Sequence, residues 1–291
     1  MSAAPPRPKS PPSASELARA LDEEATCARV RDLERDLFEI QFSAPQLAAR
    51  ARPGEFAQIL VAEELVPLLR RPYSFSRADP QGGTVSFYLA AIGQGSRRLR
   101  RFLPGQMARI LGPLGRGFTL PERPGRSLLV AGGLGAAPVP LLMERLLAAG
   151  EEVVWLNGAR SAAGLYPADL LPPGLKLAQA VTEDGSAGLR GMVTDALAPL
   201  VRGVERVYAC GPNPLLAAVA GILSTSPDPA ELEVSIEAPM GCGFGTCLGC
   251  AIPLATMGGE GPPGLCCRQG PVLRGEEPDW ERLLRQPAHL Q

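Results

Sequence analysis

The sequence predicts three modules in series: an antiparallel β-barrel, an α/β domain built on a parallel sheet, and a small cysteine-rich C-terminal subdomain. From about Ala25 to Leu120, short alternating apolar runs are broken by Pro and Gly, the rhythm of an antiparallel barrel or sandwich. After PERPGR the rhythm becomes strand, Gly-rich turn and helix, repeated, which implies βαβ units. From about Glu231 the chain is rich in Gly and Cys with few periodic runs, so this segment is expected to be held by something other than a hydrophobic core. The expected boundaries are a disordered Pro/Ser-rich tail at 1–22, the barrel at 23–122, the α/β domain at 123–230, the cysteine subdomain at 231–273 and a C-terminal tail at 274–291.

The barrel strands are read from ARVRDLERDLFEIQFSAP, PGEFAQILVAE, RPYSFSR, GTVSFYLAAIG and PGQMARILGPLG. In the second half SLLVAGGLG is an apolar strand entering a Gly-rich turn. APVPLLMERLLAAG then has helical spacing at Leu141, Leu142, Arg145 and Leu146 and stops at Gly150. The strand EEVVWLNGAR, a weaker apolar piece around Leu175 to Val181, the helix-like TDALAPLVRG, the strand RVYACG and the helix-like PLLAAVAGILS follow. In the last tail, Trp280 and Leu283 are expected on a loosely docked terminus.

The 291 residues carry a formal net charge of −1, which gives no overall attraction for nucleic acid, and the basic run Ser96 to Phe102 is too local to change that. The first fifteen residues have no apolar core like a secretion signal, and the most apolar window, VAGGLGAAPVPLLMERLLAAG, is interrupted by glycines, prolines, Glu144 and Arg145. A cytoplasmic protein without a membrane span is expected. In that reducing compartment seven cysteines, several of them clustered, point to metal binding rather than disulfides.

Four motifs carry chemistry. GGLGAAP places Gly132, Gly133 and Gly135 between a strand and a helix, where bare backbone amides can receive a dinucleotide pyrophosphate. It departs from GxGxxG because Pro138 stands at the third glycine, and the strand end LNGARS has no acidic residue, so a ligand-free tight turn competes with this reading. RPYSFS offers Arg71 for a phosphate, with Pro72, Tyr73 and Ser74 beside a flavin ring, and GQGS adds the amides around Gly93, Gly95 and Ser96. An exposed Arg on an ordinary hairpin is the plain alternative. YACGPNP ends a strand, so Cys210, Gly211 and Pro212 are candidates to border a nicotinamide, against a merely buried thiol at Cys210.

The fourth motif is MGCGFGTCLGC followed by LCCRQGPVL. Cys242, Cys247 and Cys250 have Cx4Cx2C spacing, and a distant further cysteine completes the plant-type [2Fe-2S] pattern. A structural zinc site prefers two CxxC-like pairs or added histidines, and the sole histidine, His289, is three residues from the end. Adjacent cysteines do not easily reach one cluster together, so Cys267 is taken as the fourth ligand, with Cys266 as the alternative and Cys27 as a core or surface thiol. Nicotinamide moves two electrons as a hydride and a [2Fe-2S] cluster moves one, so a flavin between them makes the weaker flavin motif more credible. No His, Asp or Glu acid/base constellation stands out.

The order RPYS, GQGS, GPLGRGF, GGLGAAP, YACGPNP, MGCGFGTCLGC and CRQGPVL, with TEDGSAGLRGMVTDAL, resembles the ferredoxin-NADP reductase superfamily. Within it, the likeness is to electron-transfer subunits of class 1B dihydroorotate dehydrogenase, over about Ala25 to Leu273. The resemblance implies an FAD-binding barrel, an NAD-binding α/β domain and a [2Fe-2S] subdomain. It also implies an FMN-containing catalytic partner in a two-plus-two heterotetramer, and electron transfer to NAD⁺ in pyrimidine biosynthesis. By position it puts Arg71, Pro72, Tyr73 and Ser74 on the flavin, and Gly95 and Ser96 on its phosphates. It puts Gly133, Gly135 and Cys210 on the nicotinamide nucleotide, and the cluster on Cys242, Cys247, Cys250 and Cys267. The N-terminal tail and the loop GGEGPPG are longer than the family pattern, and the double cysteine departs from it. Two rivals remain open at this level: an NAD(P)H-linked ferredoxin reductase subunit, for which Arg160 could hold a 2′-phosphate, and a zinc-stapled interaction module without redox activity.

Overall fold

A computed structural model describes residues 19–61, 68–175, 177–227, 230–255 and 262–286. The proline-rich stretch 1–18, most of the GGEGPPG loop and the terminal residues 287–291 with His289 lie outside the described residues, and the expectations placed on them lie there too.

The first sheet contains β1 (Leu21–Asp32), β2 (Leu37–Ser43), β3 (Phe56–Leu60), β4 (Arg71–Ser74), β5 (Arg77–Asp79), β6 (Thr84–Ala90) and β7 (Met107–Leu114). Their spatial order is β4-β3-β7-β1-β2-β6-β5, antiparallel throughout. Its two edges are consecutive in the chain: Phe75 N–H donates to Glu55 O at 3.2 Å and Ser76 N–H to Ser86 O at 2.8 Å, so the short passage from β4 to β5 closes the sheet into a barrel. Alternation turns Phe38, Ile40, Phe42, Val85, Phe87 and Ile110 into the barrel core, with Cys27 beside them. The helices α1 (Pro45–Arg50) and α2 (Gln94–Arg100) decorate the barrel. β1 starts at Leu21, inside the stretch expected as tail, because Leu21 and Asp22 already pair with Gly112 and Leu111.

The second sheet is built from β8 (Arg126–Gly132), β9 (Glu152–Ala159), β10 (Leu177–Thr182), β11 (Leu189–Arg190), β12 (Arg206–Cys210) and β13 (Glu231–Ser235). They are ordered β11-β10-β9-β8-β12-β13, all parallel. The helices α3 (Val139–Ala148) and α5 (Asn213–Ser224) follow β8 and β12 as their spacing predicts. TDALAPLVRG does less than its helix-like pattern suggests. A 3-10 turn at Val193–Ala196 and a single helical turn, α4 (Leu197–Leu200), are all that form, since Pro199 cannot donate and Gly203 has φ +67.

The structure corrects the cysteine segment most. Short strands β14 (Ala251–Ile252) and β15 (Gly264–Leu265) pair, α6 (Cys266–Gln269) follows, and β16 (Val272–Arg274) adds antiparallel to β13 at the edge of the second sheet. Cys250, Ile252, Cys266, Cys267 and Leu273 share one core with Leu128, Val207 and Val234, so the segment is anchored by ordinary apolar packing. The C-terminal residues also dock, contrary to the loose terminus expected. The final helix α7 (Trp280–Arg285) is capped by Asp279, which accepts from Arg282 N–H at 3.0 Å. Leu283 is 2% exposed and Trp280 Nε1 donates to Gly275 O at 2.9 Å. Leu283→Ala is therefore expected to cost about 2–5 kcal/mol of stability. Urea unfolding of the apo chain checks this, and a curve superimposed on that of the wild type would contradict it.

Candidate functional site

In the parallel part of the second sheet the chain runs outward in one direction from β8 through β9 to β10, then jumps back to β12 and β13, so the order reverses between β8 and β12. At such a reversal the loops leave the carboxyl ends of the strands to opposite sides and open a crevice. GGLGAAP and YACGPNP are the two loops concerned. β8 ends at Gly132 and turns through a 3-10 segment, Gly133–Ala136, into α3. A Cβ on Gly135 would lie 2.4 Å from Cys210 O and 2.5 Å from Gly211 Cα, and one on Gly211 would lie 3.2 Å from Gly132 N. The two loops touch backbone to backbone, as a dinucleotide cradle requires. Pro212 follows as the cap of α5.

Cys210 is buried, and burial followed by the nearby Glu237 carboxylate pushes its thiol up to about 12, so it is a neutral wall of the crevice. Glu237 was not singled out from the sequence. It stands two residues beyond β13, whose Ser235 pairs with Cys210, and desolvation raises its carboxyl above the ordinary value. Its signal was positional: an acid just past the carboxyl end of the last parallel strand.

β4 carries RPYS in register with β3, Pro72 opposite Gln58 and Ser74 opposite Phe56. Arg71 lies against the start of α2, where a Cβ on Gly95 would come 3.0 Å from Arg71 Cγ. Gly93 N–H donates to Ser96 Oγ at 3.1 Å, so that hydroxyl caps its own helix. RPYS and GQGS are thus brought together, leaving a guanidinium and helix-start amides side by side, a suitable phosphate seat. Burial raises the Tyr73 hydroxyl to about 12, against the pull of Arg71, so Tyr73 is a neutral aromatic wall beside Ser74.

The cysteines gather in pairs. Cys250 and Cys267 sulfurs are 3.2 Å apart, and Cys267 N–H also donates to Cys250 Sγ at 3.5 Å. The hydrogen bond shared with Cys267 outweighs burial and brings Cys250 down to about 6. Cys242 receives N–H groups of Thr246 at 3.3 Å and of Phe244 and Cys247 at 3.5 Å. Burial alone would raise Cys242, but these amides and the Cys247 thiol bring it to about 7. Gly243 and Gly245, at φ +84 and +91, let the loop curl so that its amides face sulfur. Cys266 points elsewhere: it is fully buried and its thiol donates to Ile236 O at 3.4 Å. Among the described residues no three His, Cys, Asp or Glu side chains converge on one point. The donors stand as two pairs, Cys250 with Cys267 and Cys242 with Cys247, and a dinuclear cluster takes two cysteines on each iron, so the paired donors fit [2Fe-2S].

The cysteine loop abuts the barrel through Gly243 against Gln58, and Glu237 links it to the end of β12. A cavity of about 850 Å³ lined by residues such as Arg206, Glu231, Arg274 and Trp280 contains none of the residues expected in the site.

A barrel with a phosphate seat, a dinucleotide crevice and paired thiols define a nicotinamide-linked iron–sulfur flavoprotein of ferredoxin reductase architecture. Residues 237–278 match the iron–sulfur cluster binding domain of dihydroorotate dehydrogenase B. The dihydroorotate dehydrogenase B (NAD(+)) electron transfer subunit of Geobacillus thermodenitrificans (strain NG80-2) is 36% identical over 258 residues, 88% of this chain and 97% of the relative. That of Desulforamulus reducens (strain ATCC BAA-1160 / DSM 100696 / MI-1) is 33% identical over 84% of this chain and 93% of the relative. The chain belongs to this family of electron transfer subunits. Among solved structures, a chain of the NADH-dependent reduced ferredoxin-NADP oxidoreductase superposes with a TM-score of 0.79 at 27% identity, covering 90% of this chain and 91% of the other. Phthalate dioxygenase reductase shares the fold, with a TM-score of 0.57 at 18% identity, over 81% and 87%. The protein is an oxidoreductase subunit with FAD, a [2Fe-2S] cluster and NAD as cofactors, and it works with a catalytic subunit. Among the described residues no helix is long and apolar enough to cross a membrane.

Proposed function

We propose that this chain links oxidation of dihydroorotate on an FMN-containing catalytic subunit to reduction of NAD⁺, in a cytoplasmic complex of two copies of each. The paired thiols carry the reading: Cys250 and Cys267 at 3.2 Å, with Cys242 and Cys247 as the second pair. Cys242, Cys247, Cys250 and Cys267 hold the cluster. Arg71, Pro72, Tyr73 and Ser74, with Gly93 at the helix start and the amides of Gly95 and Ser96, hold the flavin. Gly132, Gly133, Gly135, Cys210, Gly211 and Pro212 receive the nicotinamide nucleotide. The bound flavin supplies the exchange between paired and single electrons that joins a hydride carrier to an iron–sulfur centre.

The protein's own part is placement and shielding. Arg71 neutralises phosphate charge, Tyr73 and Cys210 stay neutral, and backbone amides around Cys242 stabilise negative sulfur. Cys247 is exposed, and Phe244 and Leu248 beside it are 43% and 63% exposed. An apolar tip around a redox group suits docking of the catalytic subunit against this loop.

The test is co-expression with a candidate FMN-barrel subunit, followed by an assay of dihydroorotate-dependent NAD⁺ reduction. A co-purifying complex that reduces NAD⁺ is expected. No complex, together with strong NADPH-to-ferredoxin activity, would replace this reading by a ferredoxin reductase.

A further inference from the structure

Gln58 sits in the middle of β3, opposite Pro72 of β4 and Leu111 of β7. It is 0% exposed, yet among the described residues neither Nε2 nor Oε1 has a hydrogen-bond partner. Strand alternation explains where the side chain goes. Ala57 and Ile59 point into the barrel core, while Phe56, on the same face as Gln58, belongs to the core that contains Cys250, Cys266 and Cys267. Gln58 therefore leaves the barrel on the side of the cysteine segment. There a Cβ on Gly243 would stand 2.8 Å from Nε2 and 2.8 Å from Cγ, so the carboxamide lies directly on the backbone next to Cys242.

Burying an unpaired carboxamide is unfavourable at both polar atoms, and an apolar side chain of the same size would pack without that penalty. Polar atoms kept at such a place serve a group that offers hydrogen-bonding partners. Two redox groups border this position on the functional reading given above: the flavin, through Pro72 of RPYS, and the cluster, through Gly243 of the cysteine loop. Both present acceptors, ring nitrogen and oxygen in one case and sulfur in the other.

We propose that Gln58 is a positioning residue whose carboxamide donates a hydrogen bond to one of the two redox centres and thereby raises its reduction potential. A donor stabilises the more negative, reduced form, so its loss makes reduction harder. The inference rests on the proposed function and extends it to a residue outside every motif.

The experiment is a redox titration of the cofactor-loaded protein, following flavin absorbance and cluster electron paramagnetic resonance in wild type, Gln58→Met and Gln58→Glu. Met keeps the volume without a donor; Glu replaces the donor with negative charge. One centre is expected to fall in potential in Gln58→Met and further in Gln58→Glu, with the other unmoved. A shift in the flavin assigns the bond to the ring, and a shift in the cluster assigns it to sulfur. The melting temperature of cofactor-free Gln58→Met is expected to equal or exceed that of wild type. Loaded variants with unchanged potentials, or a Gln58→Met chain that only melts earlier, would overturn the assignment while leaving the proposed function standing. A wild-type chain that holds neither iron nor flavin would instead overturn both.

Discussion

Cys247→Ser is expected to reduce iron and inorganic sulfide to background and to stop electron delivery from the catalytic subunit, while NADH still bleaches the flavin. The variant separates ligation from folding. Cys247 is exposed and its thiol shares a hydrogen bond with Cys242, so exchanging sulfur for oxygen removes little buried packing. A serine hydroxyl is a poor thiolate substitute at iron because it does not ionise near neutral pH. Cys267→Ser is expected to lose iron and sulfide as well, with some loss of stability because Cys267 lies in the apolar core. Cys266→Ser should differ in kind: it places a hydroxyl in a fully buried site facing Ile236 O, lowers stability and keeps the iron. Iron and sulfide analysis with visible absorption reads all three. Normal iron in Cys247→Ser, or lost iron in a folded Cys266→Ser, would sink the ligand set.

What could be read from the sequence follows from what is local. The turn between β8 and α3 was legible because glycines, an apolar run before them and 3.6-residue spacing after them fall within one short window. The alternation of strands and helices implied the parallel sheet, and the thiol spacing, with the sole histidine three residues from the end, favoured an iron–sulfur cluster over zinc. Three things were not local. β16 is three residues long and exists because β13 offers an open edge. Leu283 is buried by a helix distant in sequence, which no composition of the tail reveals. Gln58 reads as the polar position of an alternating strand, yet the cysteine segment covers that face as well. Glu237 was hidden for a related reason, since its neighbour Cys210 comes beside it only through the parallel pairing of β12 and β13. TDALAP errs in the opposite direction: its apolar spacing is helical, but Pro199 within it cannot donate and the helix stops after one turn.

Gly135→Ala tests the other end of the molecule and is expected to slow NADH reduction of the flavin by about a hundredfold, the usual cost of displacing a binding loop by about 1 Å. The added methyl has nowhere to go: Cys210 O, Gly211 Cα and Cys210 C would lie at 2.4, 2.5 and 2.6 Å, and all three are backbone atoms that cannot swing aside as a flexible side chain does. β12 is held between β8 and β13, so the Gly-rich turn must yield, carrying with it the amides that face the crevice. Gly135 is not among the glycines with positive φ, so backbone preference adds nothing and the effect is a collision between two loops. Flavin and iron contents are expected to match wild type, since RPYS lies on β4 of the other sheet and the cysteine loop follows β13, while the three atoms nearest the added methyl all belong to Cys210 and Gly211. Rapid mixing of the oxidised protein with NADH measures the rate directly. A wild-type rate in a variant that retains flavin would mean that the nucleotide does not bind where the strand order reverses. The expected loss, with the cluster intact, would place the hydride end of the chain at this contact and separate it from the one-electron end at Cys247.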